Sequence, residues 1–154
     1  MWSRRALLAT LIAMVFHAAP MAAEEIEFGR YHALVIGNND YADLPKLETA
    51  IADAEAVAAL LESKYGFQVR LLRSATRADI LRGLNACRAE LTDGDNLLIY
   101  YAGHGYFDRP SETGFWQPID AEMYDDLNWI SNEDLTRRIN AMTANHVMVI
   151  ADGC

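Results

Sequence analysis

The sequence predicts an α/β domain, a mostly parallel sheet of about four strands with three helices packed on it. Three observations carry that expectation. The runs Ala33-Leu-Val-Ile-Gly37, Asn96-Leu-Leu-Ile-Tyr-Tyr-Ala102 and His146-Val-Met-Val-Ile-Ala151 are short, apolar and bounded by turn formers, as strands buried on both faces are. The stretches between them repeat their apolar residues at three and four. Strand and helix patterns alternate along the chain, which is the order of βαβ units joined by right-handed crossovers.

Each element has its own reason. The first run, from Tyr31, ends at Gly37, and Asn38-Asn-Asp-Tyr-Ala-Asp-Leu-Pro45 is turn chemistry. Beyond Pro45, Leu47, Ala50, Ile51, Ala54, Val57, Ala58 and Leu61 mark one face of a helix that Gly66 ends. Phe67, Val69 and Leu71 alternate with Gln68 and Arg70, so the second strand has one wetter face and belongs near a sheet edge. Thr76-Arg-Ala-Asp79 has the form of a capping box, and Ile80, Leu84, Cys87 and Leu91 follow on one face of a second helix that stops near Asp93-Gly94. Cys87 is therefore expected to point inward as a small hydrophobe.

The third strand runs from Asn96 and is expected to stop at Gly103-His-Gly105. About sixteen residues with Pro110, Gly114 and Pro118 then read as a long loop, and long loops beside a site are often functional. Ser131 is a good N-cap for a third helix carrying Leu135, Ile139 and Met142. The run from His146 gives a fourth buried strand, which leads into Asp152-Gly-Cys154.

With 154 residues, 52% hydrophobic and 23% charged, the chain has the composition of one globular domain. Residues 1 to 23 form a basic start with Arg4 and Arg5, an apolar core from Ala6 to Phe16 and a small-residue tail, the pattern of a secretory signal too short to span a bilayer. The expected organisation is a signal at 1–23, a short linker at 24–30 and one domain at 31–154, with a secreted or periplasmic location and no stable membrane insertion after cleavage. Loss of Arg4 and Arg5, with no acidic residue lost, takes the formal charge from -9 to -11. Such an acidic body argues against nucleic acid as a partner and suits cationic ligands. Two cysteines are too few for a disulfide framework.

In parallel sheets, reacting groups gather beyond the carboxyl ends of the strands. If the third and fourth strands are neighbours, about 4.8 Å apart, they bring His104 and Cys154 to the same edge. An imidazole beside a thiol lowers the thiol pKa and can protonate a leaving amine, which is the requirement for nucleophilic catalysis by cysteine. The backbone N–H groups of Gly105 and Cys154 could then face a developing oxyanion.

Tyr100-Tyr-Ala-Gly-His-Gly105 and Val147-Met-Val-Ile-Ala-Asp-Gly-Cys154 resemble the two catalytic blocks of the caspase-like cysteine peptidases of family C14, above all the metacaspase and paracaspase branch. Their separation of fifty residues matches the caspase spacing of about 50. Ala33-Leu-Val-Ile-Gly-Asn38 followed by Ile51-Ala-Asp-Ala54 resembles the first strand and helix of that family. The resemblance implies a three-layer α-β-α caspase-haemoglobinase-like fold, with His104 as general base and acid and Cys154 as nucleophile. It also implies that Asp53 and Asp152 form an acidic S1 pocket, so that the substrate is a protein or peptide cut after Arg or Lys. Ala102 and Gly153 depart from this pattern, since the branch often has serine at both places. The family fold continues past the cysteine with further strands, so this chain alone is expected to have little activity.

No organic cofactor is implied. Metacaspases are often calcium-dependent, but Glu122, Asp125, Asp126, Glu133 and Asp134 match no calcium loop and read as a solvated acidic face. No phosphate loop of the Gly-x-x-x-x-Gly-Lys type and no Gly-x-Ser-x-Gly elbow occurs. The alternative to an endopeptidase is a catalytically silent caspase-like module that binds a partner; the presence of both His104 and Cys154 favours the enzyme.

Overall fold

The computed structural model describes residues 29–153. The expected signal at 1–23 and Cys154, the expected nucleophile, lie outside the described residues. The elements run β1 (Tyr31–Gly37), α1 (Ala50–Tyr65), β2 (Gln68–Arg73), α2 (Arg77–Glu90), β3 (Asn96–Asp108), β4 (Thr113–Gln117), β5 (Ile130–Ser131), α3 (Asn132–Asn140) and β6 (His146–Gly153).

β2, β1, β3 and β6 lie side by side, all parallel. The alternation of side chains across this sheet divides the core in two. Leu34, Ile36, Leu97, Ile99 and Tyr101 face one way and pack with Ile80, Leu84 and Cys87 of α2 and Leu135 of α3. Ala33, Val35, Tyr100 and Ala102 face the other way, against Ala50, Ala54 and Ala58 of α1. One helix on one face and two on the other make the three layers. Alanine lines α1 because the helix lies close to the sheet: a Cβ on Gly37 would come within 2.6 Å of the Ala50 carbonyl and 2.7 Å of the Ala54 Cβ.

The helix ends follow the local sequence. Thr76 and Asp79 form the expected capping box, Ser131 accepts the Asp134 N–H at 3.1 Å, and Gly66 closes α1 at φ 68°. Each side-chain cap is worth about 1 kcal/mol. The start of α1 is held differently, since Thr49 makes no side-chain cap and Asn39 Oδ1 accepts the Ile51 N–H instead, at 3.1 Å. At the opposite edge of the sheet, Asp95 is 2% exposed and accepts from Arg30 Nε and Nη2 (2.9 and 2.7 Å) and from the Thr92 N–H and hydroxyl. These donors, with the Arg30 bonds foremost, hold its carboxyl far below the usual range.

Three expectations need correction. The sheet has six strands and is mixed, because β3 does not stop at His104. It runs on to Asp108 and turns back as β4, antiparallel, with His104 opposite Gln117 and Tyr106 opposite Phe115, and β5 pairs with β4. The stretch expected as a loop thus begins as a hairpin. Its signal was present in Tyr106-Phe107 and Phe115-Trp116, strand formers on either side of Asp108-Arg-Pro-Ser-Glu112. Finally, β6 is not a buried strand. It borders only β3 among the described residues, and Met148, Val149 and Ile150 are each at least 40% exposed.

Candidate active site

The parallel ladder of β3 ends at Gly103, opposite Gly153 of β6, and the antiparallel ladder begins one residue later at His104. His104 therefore stands at the junction of the two parts of the sheet. It remains at the carboxyl edge of the parallel strands, where reacting groups are expected, even though its own strand continues.

Its backbone is fixed by two buried tyrosines. The His104 N–H donates to Tyr41 Oη at 2.8 Å, and the Tyr101 hydroxyl lies 2.8 Å from the His104 carbonyl oxygen and 2.7 Å from that of Gln117. A Cβ on Gly103 would meet Tyr41 Oη at 2.7 Å and Tyr101 Oη at 2.8 Å, so only glycine fits between them. Burial pushes both tyrosine pKa values up, and both hydroxyls stay protonated.

The imidazole of His104 packs on the Tyr41 ring, with centroids 4.6 Å apart, and its Nε2 lies 2.7 Å from the Pro45 carbonyl oxygen. A carbonyl only accepts, so Nε2 carries the proton and Nδ1 is left as the basic nitrogen. Pro45 is held by the same loop that starts α1: Asn39 O accepts from both Tyr41 N and Leu47 N, and Asn39 Nδ2 donates to the Glu48 carbonyl.

Asp53 and Asp152, predicted for the acidic pocket, come from the first turn of α1 and the end of β6. They meet around Tyr100, whose hydroxyl donates to Asp152 Oδ2 at 3.1 Å. Burial first, then that hydrogen bond and the charges of Asp152 and Asp53, push the Tyr100 pKa up to about 12. Tyr100, Ala102 and His104 alternate along β3 and share its α1 face. That period would have placed Tyr100 beside the aspartates from sequence alone. Gly105 lies next to β6: a Cβ on Gly153 would be 3.7 Å from the Gly105 nitrogen.

The acidic residues weighed for calcium do not converge. Asp134 pairs with Arg137 and Arg138, Glu133 accepts from the Thr113 hydroxyl, and Glu122 and Asp125 sit in an isolated bridge. Among the described residues no three His, Cys, Asp or Glu side chains are arranged to hold a metal ion.

Sequence reasoning missed the Pro45 carbonyl, the two tyrosines and a cleft of about 750 Å³ that opens beside His104. The cleft floor is the hairpin face of Gln117, Tyr106, Phe115 and Asp108; Pro45 and the 123–129 segment form its walls.

Comparison with known proteins identifies the family and agrees with the fold. The family model for the caspase domain of peptidase family C14 matches residues 30–154. The chain is 31% identical over 102 residues to the human mucosa-associated lymphoid tissue lymphoma translocation protein 1, which covers 66% of this chain and 11% of that protein. It is 31% identical over 88 residues to metacaspase-1 of Saccharomyces cerevisiae, over 50% of this chain and 20% of that one. A crystal structure of a Geobacter sulfurreducens protein superposes with a TM-score of 0.67 at 25% identity, over 81% of this chain and 50% of its own. The chain thus spans a small part of the curated relatives and half of the solved structure.

Proposed function

The chain belongs to the caspase-domain family of peptidases, and from that premise we propose that it is a cysteine endopeptidase cutting protein substrates after Arg or Lys with a His104–Cys154 dyad. The observation that carries the reading is the β3–β6 register, which sets Gly103 opposite Gly153. His104 and Cys154 are the next residues in sequence after that pair, which supports the dyad.

The steps follow from the chemistry of the two groups. Nδ1 of His104 takes the proton of the Cys154 thiol, and the thiolate attacks the substrate carbonyl carbon. The oxyanion formed is held by the N–H groups of Gly105 and Cys154. His104, now imidazolium and steadied by the Pro45 carbonyl, gives its proton to the leaving nitrogen as the C–N bond breaks. Water then hydrolyses the thioester with His104 as base. Asp53 and Asp152 supply the negative charge for a guanidinium or ammonium side chain of the residue whose carbonyl is attacked. The signal-like start at 1–23 supports export as the setting for this activity.

The test, run on the full-length protein, is labelling by an arginyl chloromethyl ketone. Stoichiometric labelling that disappears in Cys154→Ala supports the dyad. Labelling that survives Cys154→Ala, or an unlabelled parent protein, would sink it and leave the silent binding module as the reading.

A further inference from the structure

We propose that the cleft beside His104 is the subsite for the segment that leaves, and that it selects a basic residue in the first two positions after the scissile bond. This rests on the endopeptidase reading, and position carries it. A general acid must touch the nitrogen it protonates, so the leaving segment departs on the His104 side of the reacting carbon. Tyr100, Asp53 and Asp152 lie back along β3 from His104, on the parallel part of the sheet. The cleft lies forward, along the antiparallel part, and His104 forms its near wall. A chain cut at this dyad therefore has its acyl half over one and its amine half over the other.

The lining chooses the occupant. Tyr106 and Phe115 on the floor meet Trp129 of the wall in a continuous aromatic surface, with ring centroids 4.9 and 5.5 Å apart. Tyr124 is 95% exposed at the rim and is thus a large ring with almost nothing packed on it. Asp108, Asp125 and Asp126 also line the cleft, and none of them forms an ion pair among the described residues. Aromatic faces and unneutralised carboxylates together favour a cation with a flat or aliphatic body. An acidic leaving segment would be repelled, and a small neutral one would leave the rings uncovered. The preferred substrate is therefore a pair or run of basic residues, cut inside the run.

The experiment, on the full-length protein, compares hydrolysis of peptides sharing one Arg before the scissile bond and carrying Arg, Ala or Glu at the two positions after it. A coumarylamide of the same acyl part, which has no residue after the bond, is run beside them. The expected kcat/KM is roughly tenfold higher for Arg than for Ala, and lower still for Glu, the size expected of one cation–π contact with charge support. In Asp125→Asn/Asp126→Asn the Arg-to-Ala ratio should fall to about two. The ratio is taken within each variant, so a loss of folded protein cancels. Coumarylamide hydrolysis with no preference among the peptides, or a preference unaltered in the double variant, overturns this subsite and leaves the endopeptidase reading standing. No hydrolysis of any substrate removes both.

Discussion

The Nε2 of His104 lies 2.7 Å from the carbonyl oxygen of Pro45, fifty-nine residues earlier in the chain. This contact sets the tautomer of the imidazole and ties it to the loop between β1 and α1. Asn39 organises that loop through its carbonyl bonds to Tyr41 and Leu47 and its side-chain bonds to Glu48 and Ile51. Asn39→Ala should lower stability by about 1 kcal/mol, the usual size for a lost cap. It should also lower kcat on the order of tenfold with KM little changed, because misplacing a catalytic group costs rate more than binding. Urea melts and steady-state kinetics check the two halves separately; a fall in stability alone would mean that the loop caps α1 without orienting His104.

Gly103 is held between the hydroxyls of two closely packed tyrosines, since Tyr41 is 2% exposed and Tyr101 fully buried. A methyl group there would approach both oxygens closer than real Cβ atoms do. Gly103→Ala should therefore cost about 1–3 kcal/mol, the range for overpacking a core. Gly105→Ala is the control, because its nearest neighbour, the Phe115 carbonyl, would be at an ordinary 3.5 Å. Equal denaturation midpoints for the two variants would refute the close packing at Gly103.

The parallel half of the fold was legible in the sequence because it is written in side chains. Apolar runs, the spacing of the alanines in α1, Thr76 with Asp79, and Ser131 each act within a few residues of themselves. The hairpin beyond His104 was misread because the glycines around the histidine look like a strand end, whereas here they admit tyrosine hydroxyls and a neighbouring strand. The exposure of β6 was not legible either: apolar residues mark a strand but do not say how many neighbours it has. The candidate site divides in the same way. His104 stands out by residue type and position and the two aspartates only through the family resemblance, while the group orienting His104 is a backbone carbonyl, which no residue type announces.

The aspartates and Tyr100 yield a further expectation that does not depend on substrate. The Tyr100 hydroxyl is pushed up to about 12, chiefly by burial and next by its hydrogen bond to Asp152. An unfolded tyrosine ionises near about 10. Between these values the folded chain holds a proton that the unfolded chain has lost, so stability falls as pH rises through that window and is unaffected below it. The difference in tyrosinate absorbance between the parent protein and Tyr100→Phe isolates this group from the other six tyrosines. The difference should titrate near 12. In Asp152→Asn the neighbouring charge is gone while an acceptor remains, so the same step should move down yet stay above the ordinary value, because burial is untouched. A step that does not move on losing the Asp152 charge would show that the carboxylate and the hydroxyl are not coupled, and would take away the physical reason for grouping Asp152 with Tyr100 and Asp53.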